Sequence, residues 1–127
     1  MAGALLDTSA VLEGLGGLRL PESAAISVIT LGELRAGVLL ARDDATGARR
    51  EAGLAAARAA FRALTVDEQV AERYGDVLAV ARAQGRVAKA TDLLIIATAA
   101  VHDRTLYTLD VRQSRLAVAA GVAVAAE

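Results

Sequence analysis

Four acidic residues stand where apolar runs give way to helix-forming sequence: Asp7 after Leu5-Leu6, Glu33 after Ile26-Ser27, Asp92 before Leu93-Leu94-Ile95-Ile96, and Asp110 after Leu106-Tyr107-Thr108. One carboxylate at a helix start is explained by capping, because free backbone amides and the helix dipole both favour negative charge there. Thr30-Leu31-Gly32-Glu33 matches a capping box, and Glu33 lies off the Leu31, Leu34 and Val38 stripe, as a solvent-facing residue would. Asp92 resists that account, since it opens a helix that is apolar on almost every side, where an unpaired carboxylate is costly. Were the four to meet, their repulsion would raise their pKa values, and a hard divalent cation held by oxygen ligands, Mg²⁺ or Mn²⁺, is the usual remedy. A metal so held lowers the pKa of a bound water and orients it for in-line attack, so phosphodiester hydrolysis is the leading chemistry.

Bringing these acids together requires a particular chain path. Short apolar runs at residues 4–6, 24–27, 63–66, 105–108 and 122–124 read as strands. Between them, helices are expected over residues 10–15, 31–39, 48–61, 70–85, 93–101 and 112–119, with Gly16-Gly17 ending the first and Gly85 closing the fourth. Alternation of this kind predicts an α/β fold, three layers of α/β/α with a central parallel sheet of about five short strands. In such sheets the carboxyl ends of the strands share one edge, which is where ligands bind.

The 127 residues suit one domain, 1–127, with no linker, repeat or low-complexity segment. A chain that is 55% hydrophobic but only 2% aromatic builds its core from Ala, Val, Leu and Ile and has little with which to stack bases. The net charge of −1 excludes a strongly basic field, yet all the positive charge except Lys89 is arginine, the better phosphate fork. Arg82 and Arg86, at the exit of the fourth helix, are candidate phosphate contacts, although solvated charges near a helix C-terminus explain them equally well. The absence of cysteine removes disulfides, Cys-based zinc sites and a thiol nucleophile, and points to a reducing cytoplasm. Neither a basic leader nor an apolar run of membrane-spanning length is expected. His102, the lone histidine, has no metal-binding partner and reads as structural.

The segments Leu5-Leu6-Asp7-Thr8-Ser9-Ala10, Ile26-Ser27-Val28-Ile29-Thr30-Leu31-Gly32-Glu33-Leu34, Thr91-Asp92-Leu93-Leu94-Ile95-Ile96-Ala97-Thr98-Ala99 and Leu106-Tyr107-Thr108-Leu109-Asp110 together resemble the PIN-domain superfamily, and within it the VapC toxins of bacterial toxin–antitoxin pairs. The match runs in family order across the whole chain. It departs from many members after Asp110, where Val111-Arg112-Gln113-Ser114 stands in place of a segment carrying Phe. The resemblance implies a Mg²⁺- or Mn²⁺-dependent endoribonuclease that leaves a 5′ phosphate and a 3′ hydroxyl on a structured RNA such as tRNA or rRNA. It implies Asp7 and Asp92 as the most direct metal ligands, Asp110 as a ligand directly or through water, and Glu33 as an orienter of water or a second ion. Thr8, Ser9 and Thr108 would support them, and a homodimer and a VapB-like antitoxin would be the partners.

Other readings predict other patterns. A receiver domain needs adjacent acids after its first strand and a late lysine; this chain has Asp7 alone and no lysine after Lys89. A haloacid-dehalogenase-like phosphatase needs a second Asp two residues after the first, and position 9 is Ser. A non-catalytic PIN-like domain that binds RNA or protein keeps the same residues without turnover.

Overall fold

The computed structural model describes residues 3–13 and 23–125. The chain runs β1 (Ala4–Leu6), α1 (Thr8–Glu13), β2 (Ala25–Ser27), α2 (Val28–Leu39), α3 (Asp44–Ala60), β3 (Arg62–Leu64), α4 (Glu68–Ala83), α5 (Ala90–Val101), β4 (Thr105–Tyr107) and α6 (Val111–Ala119). The strands form a four-stranded sheet in the order β3-β2-β1-β4, and every pairing is parallel. The Gly16-Gly17 break, and with it the end of the first expected helix, lies outside the described residues.

Strands this short hold because both faces of the sheet are covered. Successive side chains of a strand point to opposite faces. Leu5 and Ala25 face a core of Val70, Val77, Leu93, Ile96, Leu106 and Leu116, contributed by α4, α5, α6 and β4. Leu6 and Ile26 face the other way, onto Ala10 with Val11, Leu31 and Phe61 packed around it. The result is the three-layer α/β/α arrangement, and the fully apolar Ala4-Leu5-Leu6 run is the signature of a strand buried on both sides. The expected fifth strand is reduced to one parallel bridge, Leu106 to Val124, flanked by Leu106 N–H to Ala123 O at 2.8 Å and Ala125 N–H to Leu106 O at 3.0 Å. Gly121, at φ +83°, closes α6 just before it and turns the chain back toward β4.

Every helix begins before its expected residue, and at two of them the cap gives the reason. α2 begins directly at Val28 with Ser27 as its cap, its Oγ accepting from Ile29 N–H at 3.0 Å, so Thr30 and Glu33 lie inside the helix and form no capping box. α3 begins at Asp44, four residues before the expected 48, because Asp43 caps it through Thr46 N–H at 2.7 Å.

Candidate active site at the carboxyl edge of the sheet

β1 lies between β2 and β4, so the chain leaves it toward opposite sides and a crevice opens at its carboxyl end. The register aligns Leu6 with Ile26 on one side and with Tyr107 on the other, so the three strands end together. Asp7 follows Leu6 immediately and donates its N–H to Tyr107 O at 3.0 Å, which fixes it beside the end of β4. The carboxylate of Asp7, 5% exposed, turns back onto its own helix: Oδ1 accepts from Ala10 N–H at 3.0 Å and from Ser9 Oγ at 2.6 Å.

Hydroxyl groups stitch the neighbouring acids to this point. Thr8 Oγ1 donates to Glu33 Oε1 at 2.6 Å and lies 3.2 Å from Oγ1 of Thr30, which is fully buried. Glu33 is therefore half-buried and tied to α1, not solvent-facing as its place on the α2 helical wheel suggested. Ser9 Oγ accepts from Leu109 N–H at 3.0 Å and lies 3.4 Å from Thr108 Oγ1. Thr108 Oγ1 in turn accepts from Asp110 N–H at 3.0 Å. Asp110 caps α6, with Oδ1 accepting from Arg112 N–H at 2.9 Å and Gln113 N–H at 3.4 Å.

Asp92 sits in the first turn of α5, a helix whose cap position is Lys89, with no side chain closing its end. Its carboxyl is pushed above the usual Asp range, by burial first and then by the negative charge of Glu33, while the Lys89 ammonium pulls it down; Asp110 and Asp7 add to the rise. Glu33, Asp110 and Asp7 thus each act electrostatically on Asp92. Even so, among the described residues no three acidic or imidazole side chains lie close enough to hold a metal ion. Asp7, Glu33 and Asp110 each direct one oxygen to a cap or hydroxyl partner of their own. Each hydrogen-bonds through that one oxygen, which leaves the second oxygen available.

Beside Asp92 and Asp110 lies a cavity of about 700 Å³, lined also by Arg86, Lys89, Arg112 and Gln113. Among the described residues the one ion pair is Arg73 with Asp76, and none of the three cations around the cavity has a described acid within 4 Å. Arg82, in the last turn of α4, is exposed and does not line it. His102 caps the far end of α5 and takes no part. A smaller groove of about 440 Å³, formed by Val11, Leu12, Leu34, Gly37, Arg49, Arg50 and Gly53, borders Glu33 from the other side.

The PIN domain model matches residues 4–119. The chain belongs to the PIN-domain family, with VapC proteins as its relatives. It is 45% identical over 102 residues to Ribonuclease VapC8 of Mycobacterium tuberculosis, an alignment covering 76% of this chain and 90% of that protein. Among solved structures it is similar to a member of the VapBC family of toxin-antitoxin systems, VapBC-5 from Mycobacterium tuberculosis, at TM-score 0.87 and 32% identity over 98% of both chains. It is also similar to FitAcB from Neisseria gonorrhoeae, at TM-score 0.76 and 30% identity over 95% of both chains. Membership accounts for the order of the four motifs along this PIN domain. No described helix is long and apolar enough to cross a membrane.

Two residues bearing on the site were not legible as such, since Thr30 read only as part of a capping box and Gln113 gave no signal in the sequence. Each is a polar side chain inside a helix whose burial, 0% and 3% exposed, comes from contacts with distant elements.

Proposed function

We infer that this PIN domain is a metal-dependent endoribonuclease and the toxin of a VapBC-type toxin–antitoxin pair. The observation that carries the reading is the placement of Asp7, Glu33, Asp92 and Asp110 at strand-to-helix junctions on the carboxyl side of the sheet, with Asp92 and Asp110 bordering a cavity that Arg86, Lys89 and Arg112 also line. The ribonuclease name of VapC8 and the toxin-antitoxin assembly of VapBC-5 point the same way.

The donor set fits Mg²⁺ or Mn²⁺. It is all carboxylate and hydroxyl, three acids keep an oxygen out of their hydrogen bonds, and Asp92 carries like-charge repulsion that a cation would relieve. Asp7, Asp92 and Asp110 would hold the ion, with Glu33 orienting water. A bound ion of this kind supplies an activated water and neutralises charge as an in-line displacement at phosphorus proceeds. The chain's own contribution is placement. Ser9 locks Asp7 so that its second oxygen keeps one direction, Thr8 does the same for Glu33, and Thr108 fixes the backbone of Asp110. Arg86, Lys89 and Arg112 would take phosphates flanking the cut, with Arg82 further along the strand.

The antitoxin would be a VapB-like chain. A segment of it lying in the groove between α1, α2 and α3 would reach Glu33 and so the edge of the acid site. A homodimer is the assembly that the resemblance implies.

Purified protein incubated with structured RNA, tRNA and rRNA included, in Mg²⁺ and then in EDTA tests the activity. Wild type should produce new 5′-phosphate ends only with metal, and Asp7→Asn and Asp92→Asn should produce none. Cleavage by all three proteins in EDTA would refute the mechanism. The spread of the acids favours one second reading, a non-catalytic PIN domain that binds RNA without turnover. It predicts RNA retention in a filter-binding assay with no new ends under any metal condition.

A further inference from the structure

Gln113 is 3% exposed, in the first turn of α6, an unusual place for an uncharged amide in an otherwise apolar layer. Burying such a side chain costs free energy unless it is hydrogen-bonded. Its Nε2 donates to the main-chain carbonyl of Asp92 at 3.0 Å. Its own backbone N–H donates to Asp110 Oδ1 at 3.4 Å. One residue thus touches both acids that border the cavity, and they belong to helices that begin 21 residues apart. The carbonyl it holds is in the first turn of α5, a helix with no side-chain cap at its N-terminus.

We propose that Gln113 is a positioning residue that sets the separation of Asp92 and Asp110, and through it the affinity of the site for a divalent cation. The inference rests on the metal-dependent reading above. Beside the packing of Leu93 against the core it shares with Leu116, the side-chain amide of Gln113 is the one polar side-chain tie, among the described residues, between that turn and the start of α6. Without it, the backbone that carries Asp92 loses its polar tie to the helix that Asp110 caps, and a hard cation, which demands fixed oxygen donors, is held less well.

Calorimetric titration of Mn²⁺ into the full chain tests this. Gln113→Met, close in shape but without a donor, should weaken Mn²⁺ binding roughly ten- to a hundredfold, the range seen when groups orienting metal ligands are removed. Arg115→Met, exposed on the same helix, should bind as wild type. The metal-free melting temperature is read in parallel, since a purely structural role would lower it and leave Mn²⁺ affinity unchanged in the folded protein. That outcome overturns the proposal. A second measurement needs no substitution: in a Mg²⁺ titration followed by NMR, the Gln113 side-chain amide should shift with the same midpoint as the Asp92 backbone amide. A silent Gln113 beside a responsive Asp92 would also overturn it while leaving the metal site standing. If wild type itself binds neither ion, the metal reading fails and this inference falls with it.

Discussion

Replacing Ser9 with Ala removes one oxygen that serves two parts of the site. Ser9 Oγ donates to Asp7 Oδ1 at 2.6 Å and accepts from Leu109 N–H at 3.0 Å. The first bond goes to an ionised acceptor that is 5% exposed, and such bonds contribute about 1.5–3 kcal/mol. The second goes to an exposed amide that water can satisfy, worth about 0.5 kcal/mol at most. Asp7 Oδ1 keeps Ala10 N–H at 3.0 Å, so the carboxylate is not orphaned and the loss sits near the middle of that range, about 2 kcal/mol. Unfolding entropy of about 2.1 cal/mol/K per residue gives roughly 0.27 kcal/mol/K for a chain of this length, so Ser9→Ala should melt about 7–8 °C lower. Calorimetry in EDTA, with urea unfolding as a check, reads this directly. The decisive arm is the cycle with Asp7→Asn, which turns a charge-assisted bond into a neutral one of about half the strength. The two substitutions should couple by about 1 kcal/mol. Additivity to within about 0.3 kcal/mol would show that the Ser9 hydroxyl does not hold Asp7, and the placement argument would fail.

Asp92 makes metal-free stability depend on pH in a direction opposite to that of a salt-bridged carboxylate. Its pKa is raised in the folded state, so the folded chain binds the proton more tightly than the unfolded one. Stability is highest below the ordinary Asp value and falls as pH rises through the raised one. In EDTA, Asp92→Asn should therefore melt above wild type at neutral pH, the gap closing as pH falls through that window; an unchanging gap would contradict the repulsion. Gly3→Ala should destabilise by about 1–3 kcal/mol, because a Cβ there would lie 2.7 Å from the Ser23 carbonyl and 2.7 Å from the Arg104 guanidinium that bridges Ala4 O and Ser23 O. Urea unfolding would measure that loss. In filter binding with catalytically silent Asp7→Asn protein, Lys89→Ala and Arg112→Ala should each reduce the slope of log affinity against log salt by about 0.7, the value for one lost single-strand phosphate contact. Unchanged slopes would remove the cavity rim from the RNA path.

Much of this molecule could be read from its residues, and the failures have a common cause. Fully apolar runs such as Ala4-Leu5-Leu6 and Leu93 to Ala97 announce burial on all sides, and the parallel layered sheet follows from their alternation with helices. The position of an acid after each run then follows from topology. Ser27 as a helix cap was overlooked because it also ends a strand, and a residue cannot show both roles in a period-based reading. The last strand, Val122 to Val124, was overestimated because β propensity says nothing of whether a neighbouring edge is long enough to pair with it. Glu33 read as solvent-facing because helical periodicity describes a helix alone; Thr8 arrives from an element 25 residues away. Gln113 was invisible for the same reason, its partner being 21 residues off.

Each strand of the sheet is three residues long, and the first acid follows its strand with no spacer. Fold and site therefore share a manufacturing tolerance. A slip of one residue in the pairing of β1 with β4 would shift Asp7 by about 3.3 Å and exchange the faces of Leu5 and Leu6. The error would be punished in the core before it could be expressed in the chemistry. A chain that misplaces Asp7 in this way is then one that does not fold. Insertions should be tolerated where no such coupling exists, at the exposed turn between α2 and α3, and rejected wherever a strand meets its helix.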